Sequence, residues 1–233
     1  MTLVLVVRHG LTAATGSALT GRTPGIPLDD RGRAQAEALA ARLAPVRLDA
    51  IVTSPLERCA QTAAAVGAAQ QPGTPVHVDE RFIECGYGDW TGQPLRKLAR
   101  DPLWKVVQTH PSAVTFPGPD GEAMADVQRR AVAAILDWNA RLGREAVYLI
   151  CSHGDVIKAI MADSLGLHLD LYQRIMVDPC SLSVLRFTPL RPFVERLNDT
   201  GGSVAALTRT DNSPAGRAAL RPEDAPVGGG AGG

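Results

Sequence analysis

Arg8 and His9 stand directly after the apolar run Leu3–Val7, Arg58 lies about one turn beyond a second run ending at Thr53, and His153 follows a third, 146–152, ahead of Gly154. Two guanidiniums offer forked N–H donors that match the oxygens of a phosphate group. A helix opening at Gly154 adds backbone N–H groups and the positive end of its dipole. Gly10 and Gly154 let the backbone approach an anion closely. Of two histidines beside such an anion, one can attack phosphorus through a ring nitrogen. The other can donate to the equatorial oxygens, where transition-state charge collects. A departing alkoxide also needs an acid, and "FIECGYGDWTG", 82–92, offers Glu84 and Asp89. Glu84 follows the apolar pair Phe82-Ile83, where desolvation raises a carboxyl pKa and keeps the group protonated near neutrality. Asp89 reads as a solvated turn residue.

These groups meet only if the runs that carry them are neighbours. Leu3–Val7, Asp49–Thr53 and "AVYLICS" (146–152) are short, apolar and bounded by polar turns, as strands buried on both faces of a parallel sheet are. Helices are expected over Arg31–Leu43, stopped by Pro45, and over Pro55–Gln70, with Ser54 as N-cap and Pro55 at the first helical position. Gly121–Leu142 and Val156–Leu165 complete the set. The order β-α-β-α … α-β-α predicts an α/β three-layer sandwich with a mostly parallel central sheet. In open sheets of this kind, functional side chains gather past the carboxyl ends of the strands. The stretch 93–120, with prolines at 94, 102 and 111, reads as an insertion of short helices and loop over one end of the sheet. The catalytic domain is expected to span 1–206. From residue 207 the periodic apolar face is lost, and 207–233 reads as a disordered tail.

The 233 residues carry 24 Lys+Arg against 24 Asp+Glu, which argues against a broad nucleic-acid footprint or an electrostatic membrane anchor. The first apolar run is too short for a signal or membrane segment, so the expected location is the cytoplasm. Cys59, Cys85, Cys151 and Cys180 form no C-x-x-C pair and read as buried free thiols in a reducing compartment. His77, His110 and His168 show no metal-ligand spacing, so neither a metal nor another cofactor is expected. "CSLSVLR", 180–186, has the C-x5-R spacing of cysteine-dependent phosphatases, but its residues alternate as a strand does and include no glycine to wrap an anion. Trp104 and Phe116 read as packing within the insertion, from which either can line a pocket.

The chain resembles the histidine phosphatase superfamily, in its phosphoglycerate-mutase-like group. The resemblance rests on five blocks in order: "RHG" (8–10), "LTGRTPGIPLDDRGRAQAEALA", "SPLERCAQTA" (54–63), "ECGYGDWTG" and "SHGDVIKA" (152–159), within roughly residues 3 to 190. It implies His9 as the phosphorylated nucleophile, Arg8, Arg58 and His153 as the phosphate pocket, and Glu84 as proton donor. Thr15 and Gly21 join the substrate contacts, with Thr15 standing where many members carry Asn. The implied partner is a small phosphorylated molecule; self-association into a homo-oligomer stays open. Two departures bear on activity. Mutase members follow the catalytic Glu with Arg-His-Tyr, where this chain has Cys85-Gly86-Tyr87, and the Arg pair they carry in the insertion is absent from 93–120. Arg129-Arg130 lies later, in the long helix. These losses favour a hydrolase over a mutase. The alternatives are phosphoglycerate-mutase-type phosphoryl transfer, or a binding module without turnover.

Overall fold

The computed structural model describes residues 1–201. The expected domain end at 206 and the tail beyond it lie outside the described residues. Strands β1 (Thr2–Arg8), β2 (Ala50–Thr53), β3 (Val76–Val78), β4 (Val147–Ser152), β5 (Leu182–Phe187) and β6 (Pro192–Asp199) form one sheet in the order β3-β2-β4-β1-β5-β6. The β1–β4, β2–β4 and β2–β3 pairings are parallel, whereas β5 runs antiparallel to both neighbours. The principal helices are α1 (Asp30–Leu43), α2 (Glu57–Ala68), α3 (Leu95–Leu98), α4 (Pro102–Thr109), α5 (Met124–Leu142) and α6 (Gly154–Ser164).

The alternation of β1 explains why it is apolar on both sides. Leu5 and Val7 pack with Leu39 and Leu43 of α1 and Val66 of α2. Val4 and Val6 pack with Ile135 of α5 and Ile157 and Ile160 of α6. Each such side chain contributes about 1.5–3 kcal/mol on burial, so β1 is anchored from two layers at once. The architecture is the expected three-layer sandwich, with a mostly parallel mixed sheet.

The insertion over 93–120 contains α3, α4 and a 3-10 turn at Pro111–Ala113. Trp104 and Phe116 are buried there, each against the ring of Trp90, so both serve packing. Helix α2 departs from expectation. It opens at Glu57, two residues later than expected, with Leu56 at the cap position; Ser54 Oγ still accepts the Leu56 N–H, at a long 3.4 Å. The C-x5-R segment is indeed strand: Leu182–Phe187 is β5, and Arg186 pairs with Glu195 across the hairpin. The Cys180 thiol is pushed up to about 12 by burial, which leaves little thiolate at neutral pH.

Candidate active site

The sheet order puts the carboxyl ends of β2, β4 and β1 side by side. Arg8 is in register with Ser152 and Thr53 with Cys151. The ladder continues one bond beyond the strands: His9 N–H donates to the Ser152 carbonyl (3.0 Å) and Ser54 N–H to the Cys151 carbonyl (3.0 Å). Three strand ends therefore deliver Arg8-His9, Ser54 and His153 to one place, and α2 adds Arg58. All five are buried.

The ring of His9 is fixed at both nitrogens. Nδ1 lies 2.7 Å from the Gly10 carbonyl, and Arg58 Nε donates to Nε2 at 3.3 Å. A carbonyl only accepts, so Nδ1 carries the proton and Nε2 keeps its lone pair. Burial pushes the His9 pKa well below its ordinary value, and Arg58 and Arg8 push it further the same way. The imidazole is neutral near pH 7, the state in which a nitrogen can attack. His153 stands edge-on to it, ring centres 5.2 Å apart, and its pKa is lowered by burial, Arg58 and His9.

The arginines are held by backbone oxygens. Arg58 Nη2 donates to the Gly21 carbonyl (2.7 Å), and Arg8 Nη1 to the Val177 carbonyl (2.8 Å). The Gly21 carbonyl thus fixes the direction of Arg58. Gly21 sits at φ +51°, where a Cβ would stand 3.0 Å from the Tyr87 ring, so glycine is required. Thr15 is spent locally: its hydroxyl accepts from Thr12 N–H (3.0 Å) and lies 2.9 Å from the Thr12 hydroxyl, closing the turn after His9.

Glu84 reaches the same pocket on the loop between the 3-10 turns Glu80–Phe82 and Gly88–Trp90. Its carboxyl accepts the Cys85 N–H (2.9 Å) and has its pKa pushed up to about 7, first by burial and then by the charge of Asp155. Half of such carboxyls are protonated near neutrality, as a general acid requires. Asp155, in the first turn of α6, accepts a hydrogen bond from the Tyr87 hydroxyl at 2.7 Å. Asp89 is exposed in the turn at Gly88–Trp90, as the sequence indicates.

Two residues have roles that differ from the sequence reading. Ser54, expected as an N-cap, meets His153 Nε2 at 2.7 Å. Gly10, expected to open the backbone toward an anion, is glycine because the chain crosses α1: a Cβ there would sit 2.6 Å from the Gly32 carbonyl oxygen. The position of Ser54 between a buried strand and an arginine-bearing helix is the available signal for a site role. Among the described residues no group of three or more His, Cys, Asp or Glu is arranged to hold a metal ion, and all four cysteines are buried free thiols.

A sequence profile of the histidine phosphatase superfamily (branch 1) matches residues 4–200, and the chain belongs to that family. Phosphoserine phosphatase 1 of Hydrogenobacter thermophilus is 30% identical, over 86% of this chain and 93% of its own. A probable phosphoglycerate mutase, GpmB of Yersinia enterocolitica, is 31% identical over 78% and 84%. Among solved structures, a mycobacterial glucosyl-3-phosphoglycerate phosphatase superposes with a TM-score of 0.74 at 26% identity, covering 84% of this chain and 98% of that one.

Proposed function

We propose that the protein hydrolyses small phosphate monoesters through a phosphohistidine at His9, without a metal or cofactor. The observation that carries this reading is the state of His9: a neutral, buried imidazole with Nδ1–H tied to Gly10 and the Nε2 lone pair facing Arg58. In the first half-reaction Nε2 attacks phosphorus, the P–O ester bond breaks, and Glu84 gives its proton to the leaving oxygen. Arg8, Arg58 and the N–H of His153 compensate the charge on the equatorial oxygens, and Gly21 supports Arg58. Thr15 shapes the turn beside the pocket. In the second half-reaction the Glu84 carboxylate takes a proton from water, the oxygen attacks phosphorus, the P–N bond breaks, and His9 returns to the neutral form as phosphate leaves. The four buried free thiols favour a reducing, cytoplasmic setting. Among the described residues no helix is long and apolar enough to cross a membrane.

The likeness to GpmB keeps mutase chemistry as the competing reading. A mutase must hold both ends of its substrate while the phosphohistidine waits for a second acceptor. The position after Glu84 supplies no cation for that hold, since the Cys85 side chain is fully buried, its sulfur 3.7 Å from that of Met124. Hydrolysis should therefore dominate exchange. Purified protein incubated with a generic aryl phosphate in EDTA, between about pH 5 and 8, is expected to release phosphate. It should exchange 2- and 3-phosphoglycerate slowly, even with bisphosphoglycerate added. Stimulated exchange much faster than hydrolysis would reassign the protein as a mutase. Silence on the aryl phosphate and on a broad panel of phosphate monoesters would reduce it to a binding module.

A further inference from the structure

Glu84 sits on a loop, and a general acid is useful only if its oxygen stays within hydrogen-bond reach of the leaving group. No strand of the sheet includes this segment, and its only β-pairing among the described residues is an isolated bridge of Tyr87 with Gly121. Three side chains outside the pocket grip its backbone instead. Arg130 of α5 donates through Nη1 to the Arg81 carbonyl (2.6 Å) and through Nη2 to the Glu84 carbonyl (3.3 Å). Arg22 donates through Nε to that same Glu84 carbonyl at 2.8 Å.

Glu122 joins the two arginines. Its Oε1 accepts from Arg130 Nε (2.7 Å), while Oε2 accepts from Arg130 Nη2 (3.0 Å) and Arg22 Nη2 (2.7 Å). Oε2 also accepts the Gly86 N–H (3.2 Å), and the Glu122 N–H donates to the Gly86 carbonyl at 2.8 Å. Residues on both sides of Glu84 are thereby tied to one carboxylate. Gly86 allows the approach: a Cβ there would stand 2.6 Å from the Asp120 carbonyl oxygen and 3.3 Å from Arg22 Cζ and Glu122 Cβ. Side-chain exposure is 16% for Glu122 and 17% for Arg130, so water competes weakly for these bonds, and charge-assisted bonds are the stronger kind. Burial opposes the charge of Glu122, yet the Arg130 hydrogen bonds hold its carboxyl below the ordinary range. One negative charge against two positive ones keeps both arginines in place.

We propose that Glu122, through Arg22 and Arg130, is a positioning residue for the carboxyl of Glu84, with its effect on the leaving-group step read in kcat/KM, which excludes the later attack of water. The proposal rests on the reading of Glu84 as the acid. A misplacement of about 1 Å in a catalytic group can cost on the order of 10²-fold. A Gln at 122 keeps the shape and one acceptor oxygen, but it removes the negative charge and puts an NH2 where Oε1 accepts from Arg130 Nε.

The test uses full-length protein with two substrates, an alkyl phosphate and an aryl phosphate whose phenol has a low pKa. Glu122→Gln is expected to lose about 10- to 100-fold in kcat/KM on the alkyl ester, against about threefold or less on the aryl ester. Adding it to Glu84→Gln should cost the alkyl ester almost nothing more, because both changes remove one function. Arg22→Gln, at a half-exposed side chain, serves as the milder variant should Glu122→Gln fold poorly, with the same substrate dependence expected. Equal losses on both substrates, or fully additive losses in the double variant, would overturn the proposal. If Glu84→Gln alone shows no leaving-group dependence, it is the reading of Glu84 as the acid that falls.

Discussion

His9→Ala is expected to cost about 10³-fold or more in turnover on every phosphate ester while phosphate itself still binds. The two outcomes separate because the nucleophile and the anion pocket are built from different anchors. His9 contributes its Nε2 lone pair, held in one tautomer by the Gly10 carbonyl. The cations have anchors besides His9, Arg58 on the Gly21 carbonyl and Arg8 on the Val177 carbonyl. Removing the imidazole takes one bond from Arg58, at Nε, but leaves both guanidiniums held on backbone carbonyls. Phosphate affinity, measured by calorimetry, should change by less than about tenfold, whereas kcat falls by orders of magnitude. A variant that keeps substantial activity would remove His9 from the role of nucleophile. Were Cys180→Ser then to abolish activity, the C-x5-R segment would return as the candidate, against the burial that pushes the Cys180 thiol up.

Glu84→Gln is expected to act selectively. The amide cannot give a proton to the leaving oxygen, so alkyl phosphates should lose about 10²- to 10⁴-fold. An aryl phosphate with a low-pKa phenol departs largely unprotonated and should be partly spared. The pH dependence has a definite sign. With a carboxyl pKa pushed up to about 7 by burial and by Asp155, Glu84 is protonated below that value and loses its proton above it. The rate on alkyl phosphates in wild-type protein should therefore fall as pH rises through about 7, the value of that carboxyl. The Gln variant should lack that limb. Profiles of kcat/KM against pH for the two substrate classes, which leave out the later step where Glu84 acts as base, read out both effects. A Gln variant that is impaired equally on both substrates, with the limb intact, would remove Glu84 from the acid role.

The groups most legible in the sequence are those delivered by strand ends. Arg8, His9 and His153 follow buried apolar runs, and Arg58 lies one turn past another. Period and chain order mark these runs as buried strands of a parallel sheet, whose groups meet only if the strands are neighbours; the registers of Arg8 with Ser152 and Thr53 with Cys151 make them so. Ser54 shows the limit of local reasoning. A serine followed by proline ahead of a helix reads as an N-cap, and its hydroxyl does accept the Leu56 N–H at 3.4 Å, yet its shorter bond is to His153, 99 residues away. Gly10 hides its role for a related reason, since the crossing with Gly32 that forbids a side chain there is tertiary. The sheet edges are hard to see in the sequence. β3 is three residues long with Val76 and Val78 exposed, too short and too wet to stand out as a periodic run. The grip of Arg22, Glu122 and Arg130 on the Glu84 loop joins three distant segments by ion pairs, and charge spacing along a chain carries no trace of such a cluster.

The central claim is that phosphorus passes through a covalent bond to His9 Nε2. Rapid alkaline quenching of wild-type protein mixed with ³²P-labelled aryl phosphate, followed by peptide mapping, tests it most directly. The expected result is an acid-labile, alkali-stable label on the peptide that carries His9, absent from His9→Ala. A label mapping to Cys180 or to any other residue, or single-turnover hydrolysis with no protein-bound phosphate at any quench time, would contradict it.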